Sequence, residues 1–532
     1  MLSKCCVVRH RPIRLAWAGE TAQAGAAMAT GSPAPSELDD LIEHDALQAR
    51  RVIDAALERD PHATAYRDAS IRLLLRYSDM PMVVREAQRA LADGPTVDLY
   101  TYFGIACMHL GRTREALAAF LAGTRISTAA RLFDLIGRCH HRLGELDAAI
   151  AAFRTVVSQP DKAGRWALVA QRGLIYALRD RGLWQDADRE ARALTAAFLA
   201  QPVMVASSVL EHDTQHVYHR WSVFLDKAQL ARSLNAWHGH HPEQPRFWPE
   251  SFVLPHDAAA LAQFRERGAA GPIFIVKPTN LSGGQGIHLT REPRADPDQT
   301  VVVQRYIDDP RLIDGRKFHL RIYTLITSVA PLRAYVYRQG IARIAPERYA
   351  IDDAALSRPA IHVTNTALHR HHPELVVSDD PSQENVGNVW SLTAALGRLA
   401  SEGLDSAQVW GRIVQLVRGM LSVAAGAGIF ERQAREHTRY CFPPRLFGLD
   451  ILLDAAGRPW LLEYQRNPAM GGNPLVARIN AQLCATIFQM SVYPLLDGEA
   501  ADSAPLGDPA PRSQIERARE QAVLGLFQPV VA

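Results

Sequence analysis

The chain has 532 residues, 48% of them hydrophobic and 22% charged, the composition of a globular protein. At about 150 residues per domain its length calls for roughly two to four domains. Lys and Arg number 59 against 56 Asp and Glu, a formal charge of +3, so bulk electrostatics gives no case for a nucleic-acid partner. Six scattered cysteines (Cys5, Cys6, Cys107, Cys139, Cys441, Cys484) without paired metal-ligand spacing fit reduced thiols, and no run approaches 18 apolar residues. We therefore expect a soluble, cytoplasmic protein without membrane contact, preceded by a disordered leader over residues 1–37.

From residue 38 to 202 apolar residues recur at helical spacing and no strand signal is convincing. Two segments superpose, "GIACMHLGRTREALAAF" (Gly104 to Phe120) and "GRCHHRLGELDAAIAAF" (Gly137 to Phe153). Gly104 and Gly137, Gly111 and Gly144, Ala116 and Ala149, and Phe120 and Phe153 are each 33 residues apart. That offset marks a helix-turn-helix repeat. Small Gly and Ala sit where paired helices cross, Gly111 and Gly144 serve the turns, and the Phe fills the next repeat's groove. The pattern resembles the tetratricopeptide repeat, with an unrelated helical bundle as the plainer alternative. Further copies are expected at Leu178 to Leu194 and, degenerate, near Arg67 to Leu91. Such arrays bind peptides or proteins along a concave face, so this one is expected to dock a protein or peptide acceptor.

Residues 203–255 form a transition. Within it "HGHH" (His238 to His241) is either a metal tetrad or, more plainly, a solvated loop. After "WPESFVLP" (Trp248 to Pro255) strands and helices alternate through residues 256–495. The tail, 496–532, offers one short helical pattern from Ser513 to Phe527.

"IFIVKPTNLSGGQGIHL" (Ile273 to Leu289) reads as a strand ending in Lys277, a Gly-rich loop and a second strand. A Walker or Rossmann loop would need a helix after the glycines, and "IHLTREP" cannot start one. Gly283, Gly284 and Gly286 let the backbone fold over a phosphate chain while Lys277 supplies a point charge. A flexible turn is the plainer reading. "VVVQRYI" (Val301 to Ile307) is a buried strand whose edge offers backbone groups to an adenine ring. In "KFHLRIYTLI" the side chains of Lys317, His319 and Arg321 share one face at period two, an arrangement that suits an anion above them, with a solvent-facing row on an antiparallel sheet as an equally good plain reading. Arg343 and Asn365 add polar groups on later strands.

"FGLDILLDAAGRPWLLEYQRNPAM" (Phe447 to Met470) reads as a hairpin around "DAAGRP" (Asp454 to Pro459). A symmetric register then pairs Leu453 with Trp460 and Asp450 with Glu463, with Gln465 on the same side by period two. Opposed carboxylates destabilise a sheet unless a cation joins them, and an oxygen-only set suits Mg²⁺ completed by water and nucleotide phosphate.

In this order the blocks from Lys277 through "VVVQRYIDDPRLIDGRKFHLRIY", "GIARIAPERY", "HVTNT" and "FGLDILLDAAGRPWLLEYQRNP" resemble the tubulin tyrosine ligase-like family, over about half of the chain (Trp221 to Val492). The resemblance implies an α/β (α+β) ATP-grasp domain following the tetratricopeptide-like helical domain, with ATP and Mg²⁺ as cofactors. By the resemblance Lys277 contacts the ATP phosphates beneath the loop of Gly283, Gly284, Gln285 and Gly286. Gln304, Arg305, Tyr306 and Ile307 form the adenine hinge, and Lys317, His319 and Asn365 complete the nucleotide site. Arg321 and Arg343 hold the terminal phosphate and the acyl group, while Asp450, Glu463 and Gln465 take the three Mg²⁺-ligand positions. The chain departs from the family pattern in three places: the family usually has Asp in place of His319 and Asn in place of Gln465, for which Asn467 could substitute, and the "HVTNT" region lacks the usual continuation, with Arg370 where a lysine is common.

Family members activate a carboxylate as an acyl phosphate that an amino group then attacks. The implied function is ligation of an amino acid, glutamate in our reading, to a protein or peptide recruited by the helical repeats. The alternative is a catalytically impaired ATP-binding pseudoenzyme that serves as an interaction scaffold.

Overall fold

The computed structural model of the chain describes residues 46–60, 63–76, 80–159, 165–200, 226–267, 271–279, 286–294, 299–366, 368–431, 445–465, 472–491 and 520–531, with a few single positions between them. Up to residue 200 every described element is helical. The helices are α1 (Ala46–Arg59), α2 (Thr64–Arg76), α3 (Met80–Asp93), α4 (Val97–His109), α5 (Thr113–Thr124), α6 (Ala130–Leu143), α7 (Leu146–Val157), α8 (Arg165–Asp180) and α9 (Trp184–Ala200). The 33-residue offset falls on the pairs α4/α5 and α6/α7, and α8/α9 repeats the arrangement. The same backbone bond closes each turn: Arg112 N to Cys107 O, Glu145 N to His140 O and Leu183 N to Leu178 O, at 2.8, 2.9 and 2.8 Å. Gly111, Gly144 and Gly182 adopt φ of +76°, +80° and +83° there, the left-handed conformation that glycine takes without a Cβ penalty.

The repeat's Phe does more than fill a neighbour's groove. A Cβ added at Gly137 or Gly173 would stand 2.7 and 2.6 Å from the Phe153 ring, so this side chain is clasped by its own repeat and the next; Phe120 lies likewise on Gly104. The last helix pair is not a free arm. Ile175, Ala191 and Leu194 share one buried apolar cluster with Tyr323, Leu325, Leu483 and Phe527 of the sheet-containing part.

Next come α10 (Lys227–His240), β1 (Ser251–Leu254), α11 (Ala258–Arg267), β2 (Phe274–Pro278), β3 (His288–Thr290) and β4 (Val301–Arg305). The "HGHH" segment is the end of α10 rather than a loop: His238 packs edge-on against Trp248, and no metal-binding group of three His, Cys, Asp or Glu exists among the described residues. Four antiparallel strands in the order β1-β4-β2-β3 form the first sheet, so a strand does follow the Gly-rich loop.

The second sheet contains β5 (Leu312–Ile313), β6 (Arg316–Val329), β7 (Leu332–Ile344), β8 (Val389–Ser391), β9 (Arg445–Leu453), β10 (Pro459–Gln465) and β11 (Phe527–Val531). Its path is β10-β9-β6-β7-β11, with β5 on β6 and β8 on β7. Short helices α12 (Asp353–Leu356) and α13 (Pro359–His362) lie between β7 and β8, followed by α14 (Leu392–Ser401) and α15 (Ser406–Gly426), and then α16 (Pro474–Ser491) after β10. Phe318, Leu320 and Ile322 of β6 pack with Leu392, Val409 and Ile413 of α14 and α15, while α16 belongs to the cluster that includes the last repeat. The strand β11 corrects the helical expectation that ran to Phe527. A lone five-residue strand has no local helix or hairpin signal, and it forms because β7 presents an open edge. No described helix is long and apolar enough to cross a membrane.

Candidate active site

Alternation along β6 sends Phe318 and Leu320 into the core and Lys317, His319 and Arg321 to the opposite face. Lys317 and His319 line a cavity between the two sheets, together with Lys277 and Gln304 from the first and Arg343, Asp450 and Glu463 from the second. Register supplies the neighbours: His319 stands opposite Arg343 on one side, and Arg321 opposite Asp450 on the other. Gly448 leaves room for this pair, since a Cβ there would stand 2.8 Å from Arg321 Cδ.

The facing acids are present, but by a different route from symmetric pairing. The turn is one residue tighter than expected, with Leu453 opposite Pro459 and Trp460 opposite Leu452. It is closed by Gly457 N to Asp454 O (2.8 Å) and by Arg458 N to the Asp454 carboxylate (2.8 Å). Continued unbroken, that register would bring Leu462 opposite Asp450. A bulge between Leu461 and Glu463 absorbs the extra residue and sets Glu463 against Asp450. Gln465 then pairs with Gly448 and does not line the cavity.

The two acids are held in different electrostatic states. Burial would raise the Asp450 carboxyl, but the groups around it, Arg321 first through its charge and its Nε and Nη2 bonds of 2.5 and 3.0 Å, with Arg343 adding to it, together hold it below the usual carboxylate range. Glu463 is raised, by burial and by the Asp450 charge, against the pull of Lys227 and Lys277. His319 is pushed down to about 4, chiefly by burial, so its ring is neutral; Nδ1 bonds Thr364 Oγ1 at 2.5 Å. Its Nε2 is buried without a hydrogen-bond partner, 3.8 Å from Asp450 Oδ1.

Two lysines face these groups. Lys277 Nζ donates to Gln304 Oε1 (2.8 Å) and to Leu462 O (3.3 Å); Gln304 in turn donates to Ser251 Oγ (2.9 Å). Lys317 Nζ donates to Tyr306 Oη at 2.8 Å and lies 4.2 Å from that ring's centroid. Burial lowers Lys277 to about 8, and burial with the Lys277 charge lowers Lys317 to about 7. The sign for ligand binding follows. Below pH 7 both lysines are charged in the free protein; above pH 8 both are largely neutral, and a polyanion must draw protons onto them. Binding of a nucleotide triphosphate is therefore expected to take up protons at pH 8.5 and far fewer at pH 6.5. Calorimetry in buffers of different ionisation enthalpy reads this directly, and equal uptake at the two pH values would contradict it.

The other expected residues fall around the same cavity. Ile307 lines it beside Leu452, with Trp460 in the same small cluster. Arg305 borders it, its head bound to Glu250 at 2.7 Å, and Tyr306 N is already bound to Ile273 O (2.9 Å). Gly284, at φ +90°, packs against Val363 and Asn365, and all three line the cavity. Gly286 also has positive φ (+68°) but is not in the lining, whereas Gly283, Gln285 and Asn467 lie outside the described residues. Arg343 lines the cavity and, among the described residues, has no ion-pair partner. Three further lining residues carried no sequence signal that we used: Lys227 at the start of α10, His362, and Thr364. The last two flank Val363 within the quoted "HVTNT", where their own polarity could have marked them.

As a metal site, the donor chemistry of Asp450 and Glu463 fits a hard divalent cation. Both are carboxylates, they are directly opposed, and the raised Glu463 marks negative charge that Arg321 leaves uncompensated.

The model described as the tubulin-tyrosine ligase family matches residues 207–499. Over 273 residues the chain is 34% identical to tubulin polyglutamylase ttll-5 of Caenorhabditis elegans, covering 48% of this chain and 37% of that protein. Human tubulin polyglutamylase TTLL5 is 32% identical over 254 residues (47% and 20% covered), and human tubulin monoglutamylase TTLL4 is 29% identical over 311 residues (56% and 25% covered). The match thus spans well under half the length of each relative.

Proposed function

The chain belongs to the tubulin-tyrosine ligase family, whose model matches more than half of its length, and from that premise we propose that it is an ATP-dependent ligase joining an amino acid to a protein or peptide. The observation that carries the reading is the convergence of Asp450, Glu463, Arg343, Lys277 and Lys317 around one cavity between two sheets, with Arg321 outside the lining but bonded to Asp450. Buried charges of this kind are costly, and a scaffold that had lost its chemistry would have no physical need of them. Glutamate is the proposed amino acid, supported by the glutamylase names of the similar proteins and by the unpaired Arg343 guanidinium, which suits an acidic substrate.

In this proposal Ile307 and Leu452 wall the adenine, and Lys277 and Lys317 neutralise the phosphate chain. A carboxylate oxygen attacks the terminal phosphorus and displaces ADP, giving an acyl phosphate. The amino group of the second substrate then attacks the carbonyl carbon, phosphate leaves, and an amide or isopeptide bond remains. Arg321 and Arg343 provide fixed positive charge where the transferring phosphoryl group and the acyl oxygen gain negative charge. Asp450 and Glu463 would hold Mg²⁺, which supplies further charge neutralisation when bound; Gln465 is the proposed third ligand. The work of the protein is positioning and electrostatics, so no nucleophilic side chain is required. The helix pairs, which we read as tetratricopeptide-like, are the proposed docking element for the acceptor.

Incubation with labelled glutamate, ATP and a cell lysate tests the reading. Label is expected to enter protein only with ATP, and Glu463→Gln is expected to reduce it by about 10²–10³-fold. ATP binding without incorporation of any of the twenty amino acids would favour the scaffold instead.

A further inference from the structure

Lys317, Tyr306 and His362 come from three separate segments: strand β6, the linker after β4, and helix α13. His362 Nε2 lies 3.0 Å from the backbone oxygen of Ala355, which can only accept. The imidazole is neutral, its basicity pushed down to about 4 by burial and by the Lys317 charge, so its single proton sits on Nε2. Nδ1 is then an acceptor, and the group 2.9 Å from it is the Tyr306 hydroxyl, which must donate. With its hydrogen committed, the Tyr306 oxygen turns its lone pairs outward, and the Lys317 ammonium donates to it at 2.8 Å. The Ala355 carbonyl thereby sets the His362 tautomer and, through Nδ1, an acceptor for the Tyr306 hydrogen. Tyr349, whose own hydrogen goes to Asp308 O at 2.9 Å, is a second hydrogen-bond neighbour of the Tyr306 hydroxyl.

Lysine has four rotatable side-chain bonds and no planar fork to orient it, so an ammonium aimed at a ligand needs an external guide. We propose that Tyr306 and His362 are positioning residues that aim the Lys317 ammonium at the phosphates of the bound nucleotide. The proposal rests on the reading that the cavity takes ATP. Tyr306 supplies the accepting oxygen, with the ammonium beside its hydroxyl end, and His362 orients that hydroxyl's hydrogen and so its lone pairs.

The test uses the full chain, a non-hydrolysable ATP analogue with Mg²⁺ for calorimetry, and ATP for kinetics. Tyr306→Phe, which keeps the ring and removes the oxygen, and His362→Leu are each expected to weaken nucleotide binding about tenfold, the scale of one lost bond to a charged group. KM for ATP should rise accordingly while kcat at saturation changes much less. His362→Asn, whose side-chain oxygen stands near the former Nδ1, should recover most of the loss. The decisive background is Lys317→Met, in which neither substitution should weaken binding further. Unaltered binding by a folded Tyr306→Phe protein would overturn the relay, and so would a tenfold loss that persists in the Lys317→Met background, because it would mean direct contact with the nucleotide. Failure of the wild-type chain to bind the analogue would instead overturn the functional reading on which the relay rests.

Discussion

Asp450→Ala is expected to lower ligation by at least about 10³-fold and to cost about 3–5 kcal/mol of stability, two effects with separate causes. The activity falls because the carboxylate opposite Glu463 is gone, and with it half of the oxygen pair that suits a cation. Stability falls because Arg321, itself 5% exposed, loses both of its bonds to Asp450 and is left as a buried charge without that compensation. Asp450→Asn separates the two in part. The amide oxygen still accepts one of the two guanidinium bonds but carries no charge, so stability should fall by less than in Asp450→Ala while ligation falls as far. Incorporation of labelled amino acid and chemical denaturation of both variants check this, and an active Asp450→Asn protein would remove Asp450 from the chemistry.

Phe153→Ala is expected to cost about 3–5 kcal/mol, the range for deleting a buried aromatic ring that its surroundings cannot collapse onto. The ring is fully buried and touches the backbone positions Gly137 and Gly173 of two successive repeats. Phe120→Ala, whose ring lies on Gly104 and shares a buried cluster with residues of α3, α4 and α6, should cost a similar amount. Denaturant titration of the two variants beside wild type measures both losses, and a loss below about 1 kcal/mol for Phe153→Ala would contradict the two-repeat clasp. Part of the effect should reach the second sheet, since Ile175, Ala191 and Leu194 of the following repeat lie in the same apolar cluster as Tyr323 and Leu325.

The helical part was legible because its signals are local. Glycines 33 residues apart specify left-handed turns, and the apolar period fixes which face of each helix is buried. The strand after the Gly-rich loop and the shared face of Lys317, His319 and Arg321 were legible for the same reason, since period two is a property of consecutive residues. Neighbouring side chains on a strand cannot avoid alternating.

Three features were set by long-range structure. The bulge at Leu462 depends on how a turn five residues away is closed, so symmetric counting reached the right pair, Asp450 with Glu463, through the wrong register at Trp460. Strand β11 depends on the open edge of β7, nearly 200 residues earlier in the chain. Lys227 and His362 depend on α10 and α13 being brought to the cavity, and Lys227 stands in no motif that announces a charged group.

By itself, then, the sequence determined most element types, the period of each buried face and most of the chemical inventory of the site, because those follow from neighbours along the chain. Which carboxylate Arg321 neutralises, which one is left with a raised proton affinity, and which hydroxyl guides Lys317 were decided only by the tertiary structure. The physical reason is that charge interactions and hydrogen bonds depend on distances of a few ångströms between residues as far apart in the chain as 321 and 450, and those distances exist only once strands from distant segments have paired.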